Sequence, residues 1–425
     1  MFKRAAAWLF NNRDVSQTIA KNTAWLFIGQ MLGRLLRAAI VIYAARVLGA
    51  ASWGAFSYAL GIAAFLTIFS DIGINALITK EAARNPELKD KYLSTALFTK
   101  LALLSVFVIG VFVFFPYLTK IEEASAIMPI LILVFAFDTL RDLGSALSRA
   151  LEKMEIEASI QIFTNFAIVV LGFVFLMLMP SSRSLAFAYA IGSGLGLAAI
   201  IFVLREHFLH IFKNFTKSLV KPILATAWPF GLMGLMGAIM LNTDIIMLGW
   251  LRSAAEVGYY SAAQKPIQLL YVLPALLATS IFPALARLAK SETGAAKDLM
   301  KKYLSKVIAV SIPVTLAGIL FPGLIMNILF GAQYAPAVAS FQILMLTVLV
   351  VYPSTLIGNA IFAYDHQKAF VWFVAAAVFG NVFFNLILIP PFGIEGAAIA
   401  TVLAQLLTNA LIWRKWRTIS TPKSS

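Results

Sequence analysis

The chain has 425 residues, 61% of them hydrophobic and 12% charged, with a mean hydropathy of +0.88. A soluble domain carries roughly a quarter charged residues, so that class is excluded. Lys and Arg number 34 against 19 Asp and Glu, a net charge of +15; in a membrane chain this points to anionic lipid as neighbour rather than nucleic acid.

Residues 1–23 form a basic, aromatic head (Lys3, Arg4, Trp8, Phe10, Arg13) suited to the membrane interface. Six apolar runs follow, at 24–45, 53–79, 97–115, 124–147, 160–179 and 185–204. Six more lie at 223–250, 257–282, 307–330, 337–363, 370–389 and 394–413. Each is near or above the ~20 residues that cross ~30 Å of hydrocarbon, so about 12 transmembrane helices are expected in an all-α polytopic membrane protein. The first run is 22 residues long and holds two arginines, which reads as a retained helix and not as a signal peptide. With connections assigned alternately to two sides, 25 Lys and Arg fall on the side of the N-terminus. Four fall opposite (Arg46, Lys120, Arg183, Arg252) and five lie inside spans. Positive residues stay inside, so both termini are expected in the cytoplasm.

The connection 205–222 divides the chain into lobes of six spans, 24–204 and 223–413, followed by a cytoplasmic tail, 414–425. Within that connection Phe208, Phe212, Phe215 and Leu219 share one helical face and Lys213, Lys217 and Lys221 another, the pattern of a linker helix lying in the interface. The lobes look related. Gly54-Ala55-Phe56-Ser57 matches Gly258-Tyr259-Tyr260-Ser261, Gly144-Ser145-Ala146-Leu147 matches Gly358-Asn359-Ala360-Ile361, and Pro180 matches Pro390, at offsets of 204, 214 and 210. An even number of spans per repeat makes the expected pseudo-twofold axis run along the membrane normal, as in transporters built from parallel repeats. Outer connections of four to eight residues leave no room for a catalytic domain. Helix breakers gather in the second lobe: Pro229, Gly231, Pro274, Pro283, Pro313, Pro322 and Pro353.

Charges in hydrocarbon cost at least ~2.5–3.5 kcal/mol each and are kept where they are paired or wetted. Arg34 lies ~15 Å into the first span and Arg37 shares its face. They mark either an aqueous cavity for an anion or pairs with Asp71 or Asp138. Lys265 and Asp244 lie at depth in the second lobe, to pair with one another or to serve the same anion. Asp138, Arg141, Asp142 and Ser145 form a stripe on the fourth span, either a salt-bridge lock or a proton or cation relay. Lys100 is expected to snorkel to the inner interface. Buried Asn165, Asn242, Asn327, Asn359, Asn381, Asn385 and Asn409 are read mostly as interhelical hydrogen bonders. The chain has no cysteine and three histidines, all in connections. No metal site, cofactor site or catalytic motif is expected.

Several of these segments resemble a known family. Arg46-Val47-Leu48-Gly49, Gly54-x-Phe56-Ser57, Asp71-Ile72-Gly73-Ile74 and Lys80-Glu81-Ala82-Ala83 carry the likeness in the first half. Asp244 with Met247-Leu248-Gly249, Val257-Gly258-Tyr259-Tyr260, Ala262-Ala263-x-Lys265 and Phe282-Pro283 carry it in the second. They resemble the polysaccharide-biosynthesis membrane proteins, the O-antigen and exopolysaccharide repeat-unit flippases, over nearly the whole chain. The resemblance implies a V-shaped, MATE-like pair of six-helix lobes in a bacterial or archaeal cytoplasmic membrane. By alternating access they would move a polyprenyl-pyrophosphate-linked oligosaccharide, and no reaction would be catalysed. Polysaccharide polymerase and chain-length proteins are the implied partners, besides membrane lipids, with H+ or Na+ as the implied coupling ion through Asp71, Asp138 or Asp244.

In the lipid II branch of the superfamily, arginines on the first helix and a cation on the eighth are taken to hold the pyrophosphate. Arg34 and Lys265 match those positions approximately, and a lysine lacks the bidentate fork of arginine. The two further C-terminal helices of that branch are not in this sequence, so lipid II is not the expected substrate. The rival readings are a cation-coupled multidrug exporter of the MATE type, which needs an acidic cavity, and a membrane glycosyl polymerase or ligase, which needs long outer loops.

Overall fold

The computed structural model describes residues 12, 14–209, 211–291, 293–364 and 366–420. The head residues Lys3, Arg4, Trp8, Phe10 and Arg13, and His210, lie outside the described residues. Among the described residues ten helices are long and apolar enough to cross a membrane, and this is a multi-pass membrane protein. Large apolar side chains along its helices are bare, such as Val106, Ile109 and Phe114 at 66%, 64% and 63% exposure, as suits a surface facing hydrocarbon.

Helix α1 (Val15–Asp71) runs for 57 residues, about 85 Å of helix, and carries the first two apolar runs. Its backbone leaves helical geometry at Gly49 (φ 74°, ψ 172°). The second run was expected to continue unbroken to residue 79. Instead Ile72 (φ 43°) and Gly73 (φ 81°) turn the chain, and α2 (Ile74–Arg84) begins in a new direction. A β-branched residue at positive φ is strained, so neighbours must hold this bend. Gly73 could not carry a side chain there: a Cβ would sit 2.3 Å from the Ala227 carbonyl oxygen. Opposite it, a Cβ on Gly231 would lie 2.7 Å from the Ile72 backbone.

The remaining spans follow the hydropathy closely. They are α3 (Lys89–Leu118), α4 (Glu122–Ala150), α5 (Met154–Leu178) and α6 (Ser182–Val203). The connection after α6 is not the continuous helix expected. It holds a four-residue helix, α7 (Arg205–Phe208), and a single 3-10 turn at Lys217–Leu219. Polar contacts strap it to the start of α3: His207 Nδ1 to Asp90 at 2.8 Å, the Thr216 amide to Thr95 Oγ1 at 3.1 Å, and Ser94 Oγ to the Ile211 carbonyl. Phe98 packs against both Phe212 and Phe215. The aromatic spacing was therefore that of residues gripping α3, which a helical wheel cannot distinguish from an amphipathic face.

Helix α8 (Val220–Leu251) carries the seventh run, and the eighth breaks into α9 (Ala254–Leu270) and α10 (Val272–Ser291). The ninth run breaks likewise into α11 (Thr293–Leu320) and α12 (Pro322–Phe330), with Pro322 at the first helical position, where its missing N–H costs nothing. Helices α13 (Val338–Ala363) and α14 (Gln367–Ser420) complete the chain. The backbone of α14 breaks at Gly393 (φ 56°, ψ −128°), after Pro390 and Pro391. Just before that break Arg252 Nη2 donates to Ile389 O at 2.9 Å and to Pro390 O at 2.5 Å, carbonyls whose helical partners would be the N–H groups of residues 393 and 394.

The chain divides into two compact units, one made of residues up to Leu48 with Ala59–Ala238, the other of Gly49–Tyr58 with Ile239 onward. The short 49–58 segment belongs to the second unit because it packs there backbone to backbone. A Cβ on Gly54 would collide with the Ala254 carbonyl, and one on Gly258 with the Ala50 carbonyl. Ser261 Oγ donates to Ser57 Oγ at 3.0 Å, across a separation of 204 residues. In the first unit, α1 runs parallel to α5, as alternate crossings require of the first and fifth apolar runs. Its contacts advance in step: Lys21 with Glu155, Gly29 with Ala158, Gly33 with Gln161, Ile40 with Gly172.

Candidate functional site

Close packing of α1 on α5 places two arginines against a polar wall. Gly33 has no side chain to hold α5 away, and a Cβ there would come within 3.0 Å of Asn165 Nδ2. Arg34 and Arg37 thereby line a cavity of about 410 Å³ in the first unit, together with Asp138, Arg141, Asp142 and Ser145 of α4. Arg149, Glu157, Gln161 and Asn165 close the same cavity. Four guanidinium groups thus face three carboxylates.

The ion pairs are unevenly shared. Arg141 bridges two carboxylates, Nη1 to Asp138 at 2.7 Å and Nη2 to Asp142 at 3.0 Å. Arg149 lies 3.4 Å from Glu157. Neither Arg34 nor Arg37 has a carboxylate partner among the described residues. The alternative in which they pair with Asp71 or Asp138 is therefore not what the structure shows. Arg37 donates from Nε to Asn165 Oδ1 at 3.1 Å and lies over the Tyr189 ring at 5.7 Å. The Asn165 amide is itself fixed, since its Nδ2 donates to the Gln161 carbonyl at 2.8 Å. A planar cation held edge-on by an amide keeps its other N–H groups for a guest, and guanidinium is the group that binds phosphate bidentately.

A second cavity of about 200 Å³ adjoins the first, with Asn75 and Asp142 in the walls of both. Here Lys100 departs from expectation. Its side chain is fully buried, not snorkelling, and its Nζ donates to Asp71 Oδ1 and Asn75 Oδ1, each at 2.8 Å. Asp71 also accepts from the backbone N–H of Asn75 at 3.3 Å, so the bend at 72–73 delivers both partners to the lysine. Lys100→Met leaves Asp71 without its cation. We expect a loss of about 3 kcal/mol, the low end for a broken buried pair because Asp71 keeps 28% side-chain exposure. The rate of heat inactivation measures it, and pairing the change with Asp71→Asn recovers most of the loss.

The second unit holds a different cluster. Asp244 of α8 is 2% exposed and accepts four hydrogen bonds from neutral donors. Tyr260 Oη and Thr401 Oγ1 each donate to Oδ2 at 2.6 Å, and Asn381 and Asn385 donate to Oδ1 at 2.9 and 2.7 Å. Lys265, half-buried on α9, is not among these partners, so the sequence-level Asp244–Lys265 pair does not form. Asn385 Oδ1 is buried with no hydrogen-bond partner among the described residues. Of the asparagines read as interhelical, Asn165, Asn381 and Asn385 fit that reading. Asn359 and Asn409 instead bond the carbonyls of Thr355 and Gln405, one turn earlier on their own helices. Among the described residues no three His, Asp or Glu side chains converge on one point.

Comparison with known proteins places this geometry. The profile of the family described as "Polysaccharide biosynthesis protein" matches residues 19–289. A protein of Haloferax volcanii with the name "Probable low-salt glycan biosynthesis flippase Agl15" is 22% identical over 403 residues, covering 92% of this chain and 82% of its own. The inward closed conformation of the lipid II flippase MurJ superposes with a TM-score of 0.73 at 17% identity, over 94% of this chain and 89% of that one. An inward-facing multidrug resistance MATE transporter gives a TM-score of 0.75 at 15% identity, over 93% and 97%. The fold is therefore shared by proteins whose named substrates differ, and the side chains of the site must decide between them.

Proposed function

Because the chain belongs to the polysaccharide biosynthesis protein family, we propose that it flips polyprenyl-pyrophosphate-linked oligosaccharide repeat units across the cytoplasmic membrane by alternating access. The observation that carries this reading is the state of the arginines. In a cavity where Arg141 and Arg149 are matched by carboxylates, Arg34 and Arg37 are left for an anion. A diphosphate brings two phosphoryl groups to two cations three residues apart on one helix face. A cation-coupled multidrug exporter would want the opposite balance of charge. In this reading the chain crosses twelve times with both termini in the cytoplasm, and Lys265 offers a third cation to the headgroup. The polymerase and chain-length proteins of the same pathway are its partners.

Coupling to an ion belongs to the same proposal. Asp244 is a buried carboxylate whose hydrogen bonds all come from neutral groups, beside the unpartnered Asn385 Oδ1. Oxygens of this kind suit a hard cation, and the carboxylate itself suits a proton. Na+ or H+ taken up at Asp244 would reset the cycle, with the Asp138–Arg141–Asp142 group as the charge relay in the first unit.

The test is reconstitution into vesicles with a fluorescent prenyl-diphosphate glycan, followed by outer-leaflet accessibility. We expect Arg34→Ala with Lys265→Ala to slow flipping at least tenfold. Parental rates in that double variant would sink the anion-cavity mechanism. Imposed Na+ and pH gradients, applied separately, identify the coupling ion.

A further inference from the structure

The second cavity of the first unit has the wrong chemistry for a phosphate and the right chemistry for a sugar. Its charged lining is Asp71, Asp142 and Lys100, one net negative charge, which repels an anion. Lys100 is already committed to Asp71 and Asn75. What remains open is a set of neutral and acceptor groups. Asn75 Oδ1 is taken by Lys100, but Asn75 Nδ2 has no partner among the described residues. Asp142 gives one oxygen to Arg141, at 3.0 Å, and is 48% exposed, so its other oxygen is available. Phe230 of α8 lines the same space and is 44% exposed. Thr139, Gly73, Gly231 and Gly234 make the rest of the wall.

An aromatic face beside a carboxylate oxygen and an amide N–H is the equipment for a pyranose ring. The ring's apolar C–H face lies on the aromatic, and its vicinal hydroxyls donate to the carboxylate and accept from the amide. The volume of about 200 Å³ admits one ring and not two. Asn75 and Asp142 also line the arginine cavity, so a ring seated here is adjacent to a diphosphate held by Arg34 and Arg37.

We propose that this cavity is a subsite for one neutral pyranose ring of the transported lipid-linked saccharide, stacked on Phe230 and hydrogen-bonded by Asn75 and Asp142. This rests on the flippase reading above and adds a selectivity to it: neutral and N-acetylated hexoses are accepted, and uronic acids are repelled by Asp71 and Asp142.

Two arms test it with the full-length protein in lipid nanodiscs. The first is saturation-transfer NMR with methyl glycosides of glucose, galactose, N-acetylglucosamine and glucuronic acid. We expect transfer to at least one neutral glycoside and none to the glucuronide. The signal falls at least fivefold in Phe230→Ala and in Asn75→Ala and persists in Phe230→Tyr, which keeps the ring. Absence of transfer to every neutral glycoside, equal transfer to the glucuronide, or an unchanged signal in Phe230→Ala overturns the subsite. The second arm compares the affinity of a bare prenyl diphosphate with that of the same lipid bearing one neutral sugar. The sugar should tighten binding about tenfold in the parent. Phe230→Ala should erase that gain and leave the bare lipid unaffected, whereas Arg34→Ala weakens both. If the parent does not bind the bare lipid, the flippase reading falls, while the glycoside arm still decides the subsite.

Discussion

Asp244→Ala is expected to be the most destabilising single change described for this chain, by about 3–5 kcal/mol. The carboxylate is the acceptor for two hydroxyls and two amides, and its side chain is almost fully enclosed. Removing it leaves four buried donors unmet, each worth about 1–3 kcal/mol before the neighbours relax. Membrane proteins of this size unfold irreversibly, so the readout is the half-life at fixed temperature. Asp244→Asn separates fold from coupling. The carboxamide has the same shape and keeps one acceptor oxygen, so most of the stability should remain. Its charge is gone, so flipping should no longer respond to an imposed Na+ or pH gradient. An Asp244→Asn protein that still follows the gradient would show that coupling lies elsewhere.

Arg37→Ala is expected to slow flipping about tenfold to a hundredfold. A hydrogen bond to a charged group contributes about 1.5–3 kcal/mol, and each 1.36 kcal/mol is a factor of ten in rate. Asn165→Ala should slow it less and by the same route, since Asn165 acts by aiming the guanidinium. The two changes are therefore non-additive: once Arg37 is alanine, removing Asn165 should cost little more. A double-mutant cycle measures this coupling directly. Strict additivity would mean that Asn165 contributes on its own account and that Arg37 is not held by it.

The spans were legible because hydropathy is a property of each segment alone. Helices α3 to α6 and α13 match the apolar runs to within a few residues at most ends. Local charge patterns were legible too: Arg141 meets Asp138 and Asp142 through neighbours on its own helix. What failed depended on the chain elsewhere. Lys100 snorkels or buries according to whether a carboxylate waits beside it, and Asp71 waits there only because the backbone turns at Ile72 and Gly73. Asp244 was singled out, but its partners come from residues 260, 381, 385 and 401, and no periodicity links them. One signal was present: Asn381 and Asn385, spaced by four in an apolar run, put two amides on one face. The break between α9 and α10 had a warning in Pro274, one of the helix breakers of the second lobe.

The bond between Arg37 and Asn165 also bears on how the protein is made. Its partners are 128 residues apart, so when the first span leaves the ribosome the amide that steadies Arg37 does not yet exist. At roughly 5–20 residues per second the wait is about 6–26 s. Through that interval two guanidiniums sit in a single helix with no protein cavity around them, at about 2.5–3.5 kcal/mol each. The first span must therefore be held at a wet or proteinaceous site, or inserted late together with α5. Nascent chains arrested before and after residue 165 should differ in how firmly residues 24–45 are integrated.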